Sequence, residues 1–163
     1  MHSRPTMADG LRVCVLIPTL RNANELDVAL SGMDKQTWEG PLEVVVVGPN
    51  GDPGQEVAQS HGSRWIDDEG SRTRADACNI ALNQIECDIV CFTDDDVWIP
   101  EDWVENLVRW FDREDVAGVG GPNFAPPDSR STFWQRVIDV TFCSKWVTAG
   151  TNYGNRGTDA LTP

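Results

Sequence analysis

The sequence predicts an α/β fold in which helices flank a mostly parallel central sheet. Strand and helix signals alternate over residues 12–120, as they do in chains built from βαβ units. Residues 42–47 are rich in β-branched side chains, which is typical of a strand buried on both faces. A further apolar run, residues 89–92, leads into three consecutive aspartates at 94–96. Ligands of open α/β sheets lie outside the carboxyl ends of the strands, so this triplet indicates the position of a site.

The first part of the chain predicts two strands with a helix between them. Residues 12–17 form the first strand and residues 42–47 the second. Asn22 and Glu25 stand three positions apart, as in a capping box, and predict the start of the helix. Residues 48–54 are rich in glycine and proline and predict a loop. The apolar side chains at helical spacing are Leu26, Ala29, Leu30 and Met33.

The rest of the alternation predicts three more helices and three more strands. Pro100 suits the first turn of a helix in which Trp103, Leu107 and Trp110 recur at helical spacing. We interpret those tryptophans as core residues. In chain order, the predicted elements are a helix over 55–61, a strand over 64–66, a helix over 73–84, a strand over 88–93, the helix after Pro100 and a strand over 117–120.

Composition limits the classes of function. The net charge of -13 and the pI near 4.3 argue against nucleic-acid binding, which usually needs a basic surface. The five cysteines are odd in number and include no C-x-x-C pair, which favours reduced thiols in a cytoplasmic protein and argues against a zinc site. No apolar stretch is long enough for a transmembrane helix. Peripheral association with the cytoplasmic face of a membrane, through the aromatic residues of 133–146, stays open.

The acidic residues are mostly aspartate, and lysine is rare. Aspartate accounts for 17 of the 26 acidic residues, and lysine for 2 of the 13 basic ones. This balance is expected of proteins that work in concentrated salt, where a Debye length of about 3 Å at 1 M screens self-repulsion. We therefore advance a halophilic source as a hypothesis.

The aspartate triplet has the chemistry of a divalent cation site. Adjacent carboxylates repel one another unless a cation joins them. Oxygen ligands suit Mg²⁺ or Mn²⁺, and Mg²⁺ is commonly held by one or two carboxylates plus the phosphates of a substrate. The alternative is a solvated acidic turn, but the apolar residues on both sides of 94–96 favour the metal site.

Four segments occur in the order and spacing of family 2 glycosyltransferases, and the chain resembles that family over residues 12–123. The segments are VLIPTLRN at 15–22, EVVVV at 43–47, ACN at 77–79 and DIVCFTDDD at 88–96. Gly150-Thr151-Asn152 resembles a later motif of the family. The resemblance implies a Rossmann-like GT-A fold. It also implies an N-terminal extension at 1–11, a nucleotide-sugar-binding domain at 12–123, and the truncated start of an acceptor-side region at 124–163.

The resemblance implies transfer of a sugar, with inversion, from a nucleoside diphosphate donor to an acceptor hydroxyl. The implied cofactor is Mg²⁺ or Mn²⁺, and the acceptor, whether a glycan, a lipid or a protein-linked sugar, is open. Pro18 and Thr19 would line the base pocket, and Asp94 and Asp95 would lie against the ribose and diphosphate. The implied donor contacts are Pro18, Thr19, Arg21, Asn22, Glu25, Asn50, Arg74, Asp94 and Asp95, and the implied metal ligands are Asp94 and Asp96.

The chain departs from the family pattern at two places. The family usually carries an acidic residue after its second strand, where it helps to hold the base, whereas this chain has Asn50 there and its next acid at Asp52. The arginine common before the asparagine of the third motif is Cys78 here. Arg72 and Arg74, one or two turns earlier, are placed to reach a diphosphate instead.

The expected function has two alternatives. The family takes its general base from an acidic motif downstream of the matched segments, and no residue up to Pro163 is nominated as that base. One alternative is therefore a non-catalytic domain that binds a nucleotide or a cation. The other is a nucleotidyltransferase, which the sequence disfavours because Ile17-Pro18-Thr19 stands where a glycine-rich, basic loop is expected.

Overall fold

Four parallel strands form the central sheet. The computed structural model describes residues 10–121 and the single positions 133 and 137. It divides the chain into two units, Met1–Glu114 and Asp115–Pro163, and the first contains the whole sheet. The elements are β1 (Val13–Pro18), α1 (Ala23–Met33), β2 (Leu42–Gly48), α2 (Gly54–Ser60), β3 (Arg64–Asp67), α3 (Arg74–Leu82), β4 (Ile89–Phe92) and α4 (Trp103–Val108), followed by a 3-10 turn at Arg109–Asp112.

The order of the strands creates a switch point beside β1. The sheet has the order β3-β2-β1-β4, and every pairing is parallel. The chain therefore moves one way from β1 to β3 and then crosses to the other side of β1 to form β4. In sheets of this kind, the crevice at the carboxyl ends of the two strands flanking the reversal is the usual ligand site. Here those strands are β1 and β4, and the aspartate triplet follows β4.

Helices cover both faces of the sheet, as the sequence predicts. Val13, Val15 and Ile17 of β1 pack with α1, α2 and α4 on one face. Leu16 packs on the opposite face, toward α3. Ile17 and Leu16 are fully buried, and burial of such a side chain contributes about 1.5–3 kcal/mol. Burial on both faces explains why β1 reads as a continuous apolar run rather than an alternating one.

The helix caps differ in part from expectation. Asn22 occupies the N-cap position of α1, but its side chain makes no capping hydrogen bond and its backbone (φ −123°, ψ 42°) lies outside the extended region. The predicted capping box with Glu25 is therefore wrong. At α3, by contrast, Thr73 is extended and its side chain accepts a 3.1 Å hydrogen bond from the N–H of Asp76. This cap begins the helix that carries Arg74.

Two predictions near the end of the described range also need correction. Residues 117–120 form no strand, because they are mostly exposed and include two glycines with no side chain to bury. In α4, the fully buried side chains are Val104 and Val108. Trp103 and Leu107 pack at the margin of the core, so the buried stripe is displaced by one residue from the predicted one.

The remaining structural expectations concern membranes and cysteines. Within the described residues, no helix is long and apolar enough to cross a membrane. The four cysteines that the structure describes, Cys14, Cys78, Cys87 and Cys91, are free. The sequence also predicts an amphipathic helix over 131–142. That segment, apart from 133 and 137, and the Gly150-Thr151-Asn152 motif lie outside the described residues. The predicted boundary at 123 remains a prediction.

Candidate functional site

A cavity of about 550 Å³ opens at the carboxyl ends of the strands. Ligand cavities commonly have volumes of about 300–1,000 Å³, so this one can hold a nucleotide-sized molecule. The turn after β1, the end of β2, the loop after β3, the start of α3 and the turn after β4 all contribute walls. The polar and charged lining residues include Thr19, Asp68, Ser71, Arg74, Asp94 and Asp95.

Thr19 joins the turn after β1 to the aspartate triplet. Its N–H donates to the carbonyl of Val47 (2.9 Å), which keeps this turn against the end of β2. Its hydroxyl donates a 2.6 Å hydrogen bond to Oδ2 of Asp95. Only 7% of Thr19 is exposed. The bond therefore fixes one carboxylate of the triplet at the switch point, in a partly dry environment.

Arg74 brings a cation to the same place. Its guanidinium forms an ion pair with Asp94, and both side chains are about half exposed. Arg72 also lines the cavity. Cys78, one turn along α3 from Arg74, has its thiol pKa raised by burial, so it is neutral at pH 7. The positive charge beside Asp94 thus comes from Arg74, and Arg72 adds a second cation to the cavity wall.

Asp52 stabilises the turn that carries Arg21. Arg21 has φ of 55°, in the left-handed region that costs a non-glycine residue about 1 kcal/mol or more. Oδ2 of Asp52 accepts the N–H of Arg21 (2.8 Å), and Oδ1 accepts the N–H of Gly54 (2.8 Å). The buried Asp52 carboxylate therefore ties the turn after β1 to the first turn of α2.

Asp68 supplies a second buried carboxylate to the cavity wall. It follows β3 and is 8% exposed. Its Oδ1 accepts the N–H of Gly70 (3.0 Å), and its Oδ2 accepts the hydroxyl of Ser71 (3.2 Å). Both partners are neutral. The sequence alone does not indicate a role for Asp68, because this residue lies in a polar stretch that is typical of an ordinary turn.

The structure gathers most, but not all, of the predicted site residues. Asn50, Glu25 and Asp96 are exposed and are not part of the cavity wall. The sequence alone predicts no site role for Asp52, although its position before Pro53-Gly54 is a turn signal. The predicted residues that line the cavity are Pro18, Thr19, Arg21, Asn22, Arg74, Asp94 and Asp95.

The oxygen atoms of the aspartate triplet fit a cation that is bound by the protein and by a substrate together. Within the described residues, no three His, Cys, Asp or Glu side chains converge into a metal site on their own. The triplet nevertheless offers carboxylate oxygens only, which are the ligands of Mg²⁺ and Mn²⁺. Mg²⁺ usually keeps open positions for phosphate oxygens, so one or two carboxylates at the mouth of the cavity are a sufficient protein contribution.

The chain is similar in sequence and in fold to glycosyltransferases. Glycosyltransferase GlyA of Streptococcus pneumoniae serotype 4 is 25% identical to the chain over 140 residues, which are 82% of this chain and 20% of that protein. The structure of mannosyltransferase PcManGT from Pyrobaculum calidifontis, in complex with GDP-Man and Mn²⁺, has a TM-score of 0.57 and 26% identity. That match covers 82% of this chain and 39% of the mannosyltransferase.

A more distant structure shows the same fold. Glucosyl-3-phosphoglycerate synthase from Mycobacterium tuberculosis, in complex with Mn²⁺, UDP and glucosyl-3-phosphoglycerate, has a TM-score of 0.57 and 18% identity, over 86% of this chain and 57% of that one. The described sheet and helices thus form the GT-A fold. The model of Glycosyl transferase family 2 matches residues 14–159. From its sequence and its fold together, this chain belongs to Glycosyl transferase family 2.

Proposed function

We propose that the chain binds a nucleoside diphosphate sugar and takes part in transferring the sugar, with inversion, to an acceptor hydroxyl. The observation that carries this proposal is the meeting of Arg74, Asp94 and Asp95 in one cavity at the switch point of a family 2 member. PcManGT, which is 26% identical, was solved with GDP-Man and Mn²⁺, and this supports a nucleotide sugar and a divalent cation as ligands.

The cavity residues have different roles in binding the nucleotide sugar. Pro18 and Thr19 form the turn against which the nucleoside packs, and Thr19 also holds Asp95 in place through its hydroxyl. Arg74 lies beside Asp94 and offers hydrogen-bond donors to a diphosphate oxygen, for which the planar guanidinium is well suited. Among the other predicted donor contacts, Arg21 and Asn22 lie in the cavity wall, whereas Glu25 and Asn50 are proposed contacts that lie outside it.

Asp94 and Asp96 are the residues that we propose hold Mg²⁺ or Mn²⁺. When bound, such an ion offsets the negative charge that develops on the leaving diphosphate. Arg74 adds positive charge at the same end of the cavity. The burial of Thr19 and its bond to Asp95 keep the acidic turn in one arrangement, so little reorganisation is needed when the donor binds.

The proposed transfer is a single displacement. The bond between the anomeric carbon and the diphosphate oxygen breaks, and its electron pair stays with the diphosphate. A new bond forms from the acceptor oxygen to the opposite face of the anomeric carbon, which inverts the configuration. The acceptor's proton passes to a general base, and we assign none of the described residues to that role.

The four free cysteines of the described part agree with a reducing compartment, and we propose the cytoplasm.

A thermal-shift titration tests the donor-binding step. The chain is titrated with nucleoside diphosphates in high salt, with and without Mn²⁺. We expect a metal-dependent rise in the unfolding temperature, because a ligand that binds only the folded state stabilises it. Asp96→Asn should reduce the metal-dependent part, whereas Asp102→Asn, which removes an exposed carboxylate at the start of α4, should not. If no nucleotide changes the unfolding temperature with or without metal, the proposal is wrong.

Measurement of product separates a transferase from a domain that only binds the donor. The chain spans 20% of the length of GlyA and 39% of that of PcManGT, so activity must be measured on this chain directly. Release of free nucleoside diphosphate from a panel of nucleotide sugars, with and without candidate acceptors, shows whether hydrolysis or transfer takes place. Binding without any turnover would support the binding-domain alternative. The nucleotidyltransferase alternative loses its basis, because the chain belongs to a glycosyltransferase family.

A further inference from the structure

The aspartate triplet lies in a turn whose backbone is held on both sides. Before the last aspartate, the hydroxyl of Thr19 fixes the carboxylate of Asp95. After it, the chain returns to the core, where Ile99 is 4% exposed. Asp96 lies between these two places and is exposed, and in the described part of the chain its carboxylate forms no hydrogen bond or ion pair. The position of Asp96 therefore depends on how the backbone on its two sides is held.

Gln36 holds the far side of this turn from the segment between α1 and β2. Its Nε2 donates to the carbonyl of Pro100 (2.6 Å) and to that of Gly32 (3.0 Å). Its Oε1 accepts the N–H of Val104 (2.9 Å). This side chain thus joins the last turn of α1 to the segment that follows Asp96, across 64 positions of sequence at Pro100.

The bond to Val104 also replaces a missing cap at the start of α4. The first N–H groups of a helix have no partner within the helix, and the N-cap side chain usually accepts one of them. Asp102 occupies the N-cap position of α4, but its side chain makes no capping hydrogen bond. Because Val104 is fully buried, little water is available to take the place of Gln36.

Two backbone contacts hold the same segment against the end of α1. The N–H of Thr37 donates to the carbonyl of Glu101 (2.8 Å). Gly32 lies so close to Ile99 that a Cβ atom on this glycine would come within 2.8 Å of the Ile99 carbonyl oxygen. The segment after the triplet therefore packs directly on the end of α1, where its backbone has little freedom to shift.

We infer that Gln36 is a positioning residue for the metal site and acts on Asp96 through the backbone of residues 97–100. Gln36 is not among the residues that line the cavity. Its hydrogen bonds fix one side of the turn, as Thr19 fixes the other, so that Asp94 and Asp96 have one arrangement before an ion binds. Groups that orient metal ligands in this way raise the affinity for the metal. The inference rests on the proposed function, since it assumes that the triplet binds a divalent cation together with a nucleotide.

Calorimetric titration with GDP and UDP, without metal and with saturating Mn²⁺, tests this inference. The ratio of the two Kd values is the metal-dependent gain in affinity. Gln36→Met keeps the length of the side chain but none of its hydrogen bonds, and we expect it to lower the gain about tenfold or to remove it. The metal-free Kd should stay nearly unchanged, because Gln36 lies outside the cavity wall. Gln59→Met makes the same replacement at an exposed position of α2 and should leave both quantities unchanged.

A second measurement uses the unmodified chain. If the bonds of Gln36 favour metal binding, then metal binding must favour those bonds by the same factor. We therefore expect Mg²⁺, added to the nucleotide-saturated chain, to slow the hydrogen exchange of the Val104 N–H, as measured by NMR. The N–H of Gly62, which donates to the carbonyl of Gln59 at the end of α2 (3.0 Å), is the control and should be slowed less.

The outcomes separate this inference from the function on which it rests. An unchanged gain in Gln36→Met, or a metal-free affinity that falls as much as the gain, overturns the positioning role and leaves nucleotide binding in place. A nucleotide that binds the unmodified chain equally with and without Mn²⁺ overturns the metal site and this inference together. Failure of GDP and UDP to bind at all overturns the proposed function as well. If Gln36→Met does not fold in a thermal unfolding test, the exchange measurement decides, because slowing at Val104 that is no greater than at Gly62 contradicts the inference.

Discussion

The hydroxyl of Thr19 donates a 2.6 Å hydrogen bond to Oδ2 of Asp95, across 76 positions of sequence. This bond links the turn after β1 to the turn after β4, the two strands that flank the switch point. Because Thr19 is buried, water competes little for the bond. The orientation of the acidic turn therefore depends on a residue that follows the neighbouring strand, β1.

Replacement of Thr19 by valine should weaken nucleotide binding. Valine keeps the shape of threonine but lacks the hydroxyl, and a hydrogen bond to a charged group contributes about 1.5–3 kcal/mol. We expect the Kd for a nucleoside diphosphate with Mn²⁺ to rise about ten- to hundredfold, as measured by calorimetry. Thr19→Ser retains the donor and should bind nearly as well as the unmodified chain. Equal losses in the two variants would show that the hydroxyl is not responsible.

Replacement of Gly48 by alanine should destabilise the fold. The new Cβ would come within 2.8 Å of the Thr19 carbonyl and within 2.9 Å of the Trp65 ring. Such overpacking typically lowers the free energy of unfolding by about 1–3 kcal/mol, which urea denaturation measures. Gly118→Ala is the matched control, because a Cβ on Gly118 meets nothing within 4 Å. If both variants are equally stable, the close contact at the end of β2 is incorrect.

Removal of the Arg74 charge should weaken binding of the diphosphate in particular. Arg74 lies at the Asp94 end of the cavity, so Arg74→Gln should raise the Kd of a nucleoside diphosphate about tenfold and leave that of the nucleoside nearly unchanged. Arg12→Gln removes the same charge from an exposed pair with Asp88 and serves as the control. Calorimetry at constant ionic strength measures both. An identical loss in the two variants would indicate only a general effect of net charge.

His61 should make the stability of the protein depend on pH. Its Nε2 lies 3.0 Å from Asp27 and its Nδ1 lies 2.6 Å from Asp34, which joins the end of α2 to α1. The hydrogen bond with Asp27 raises the pKa of His61 above its usual 6.5, with Asp34 acting in the same direction and burial opposing them. Because the folded-state pKa is raised, the stabilisation is complete below pH 6.5 and is lost as the pH rises through the folded-state pKa.

Urea denaturation from about pH 5.5 to about pH 8.5 measures this effect. The difference in unfolding free energy between the unmodified chain and His61→Gln should be largest at the acidic end and should shrink as the pH rises. Subtraction of the variant removes the contribution of the other titrating groups. A difference that stays constant, or grows with pH, would show that His61 is not charged between the two carboxylates.

Concentrated salt should stabilise the chain. The net charge of -13 produces self-repulsion in dilute buffer, and salt screens it. We expect the unfolding temperature to rise when KCl is increased from about 50 mM to about 2 M. KCl is preferred to sulfate, which strengthens apolar burial by a separate route. Equal stability at the two concentrations would contradict the halophilic hypothesis.

The sequence by itself determined the order of the elements and the end of the sheet at which the site lies. Strand and helix periods are local properties, so β1, β2 and the helices between them can be read from apolar spacing alone. The position of Asp94 and Asp95 after β4 is local in the same sense. The order of the four family motifs can also be read from the sequence alone. The capping box at Asn22 failed because the backbone there takes a conformation that residue types do not specify.

Only the tertiary structure decided which distant residues meet. The bond from Thr19 to Asp95 exists because β4 crosses to pair with β1 rather than with β3. Asp68 lines the cavity because β3 pairs with β2, which places the residue after β3 beside Gly48, the last residue of β2. A side chain at Gly48 would meet the Trp65 ring. The sequence places Gly48 and Asp68 twenty positions apart and shows neither contact. Strand pairing is a non-local choice, made by the packing of the whole core, and the details of the site follow from it.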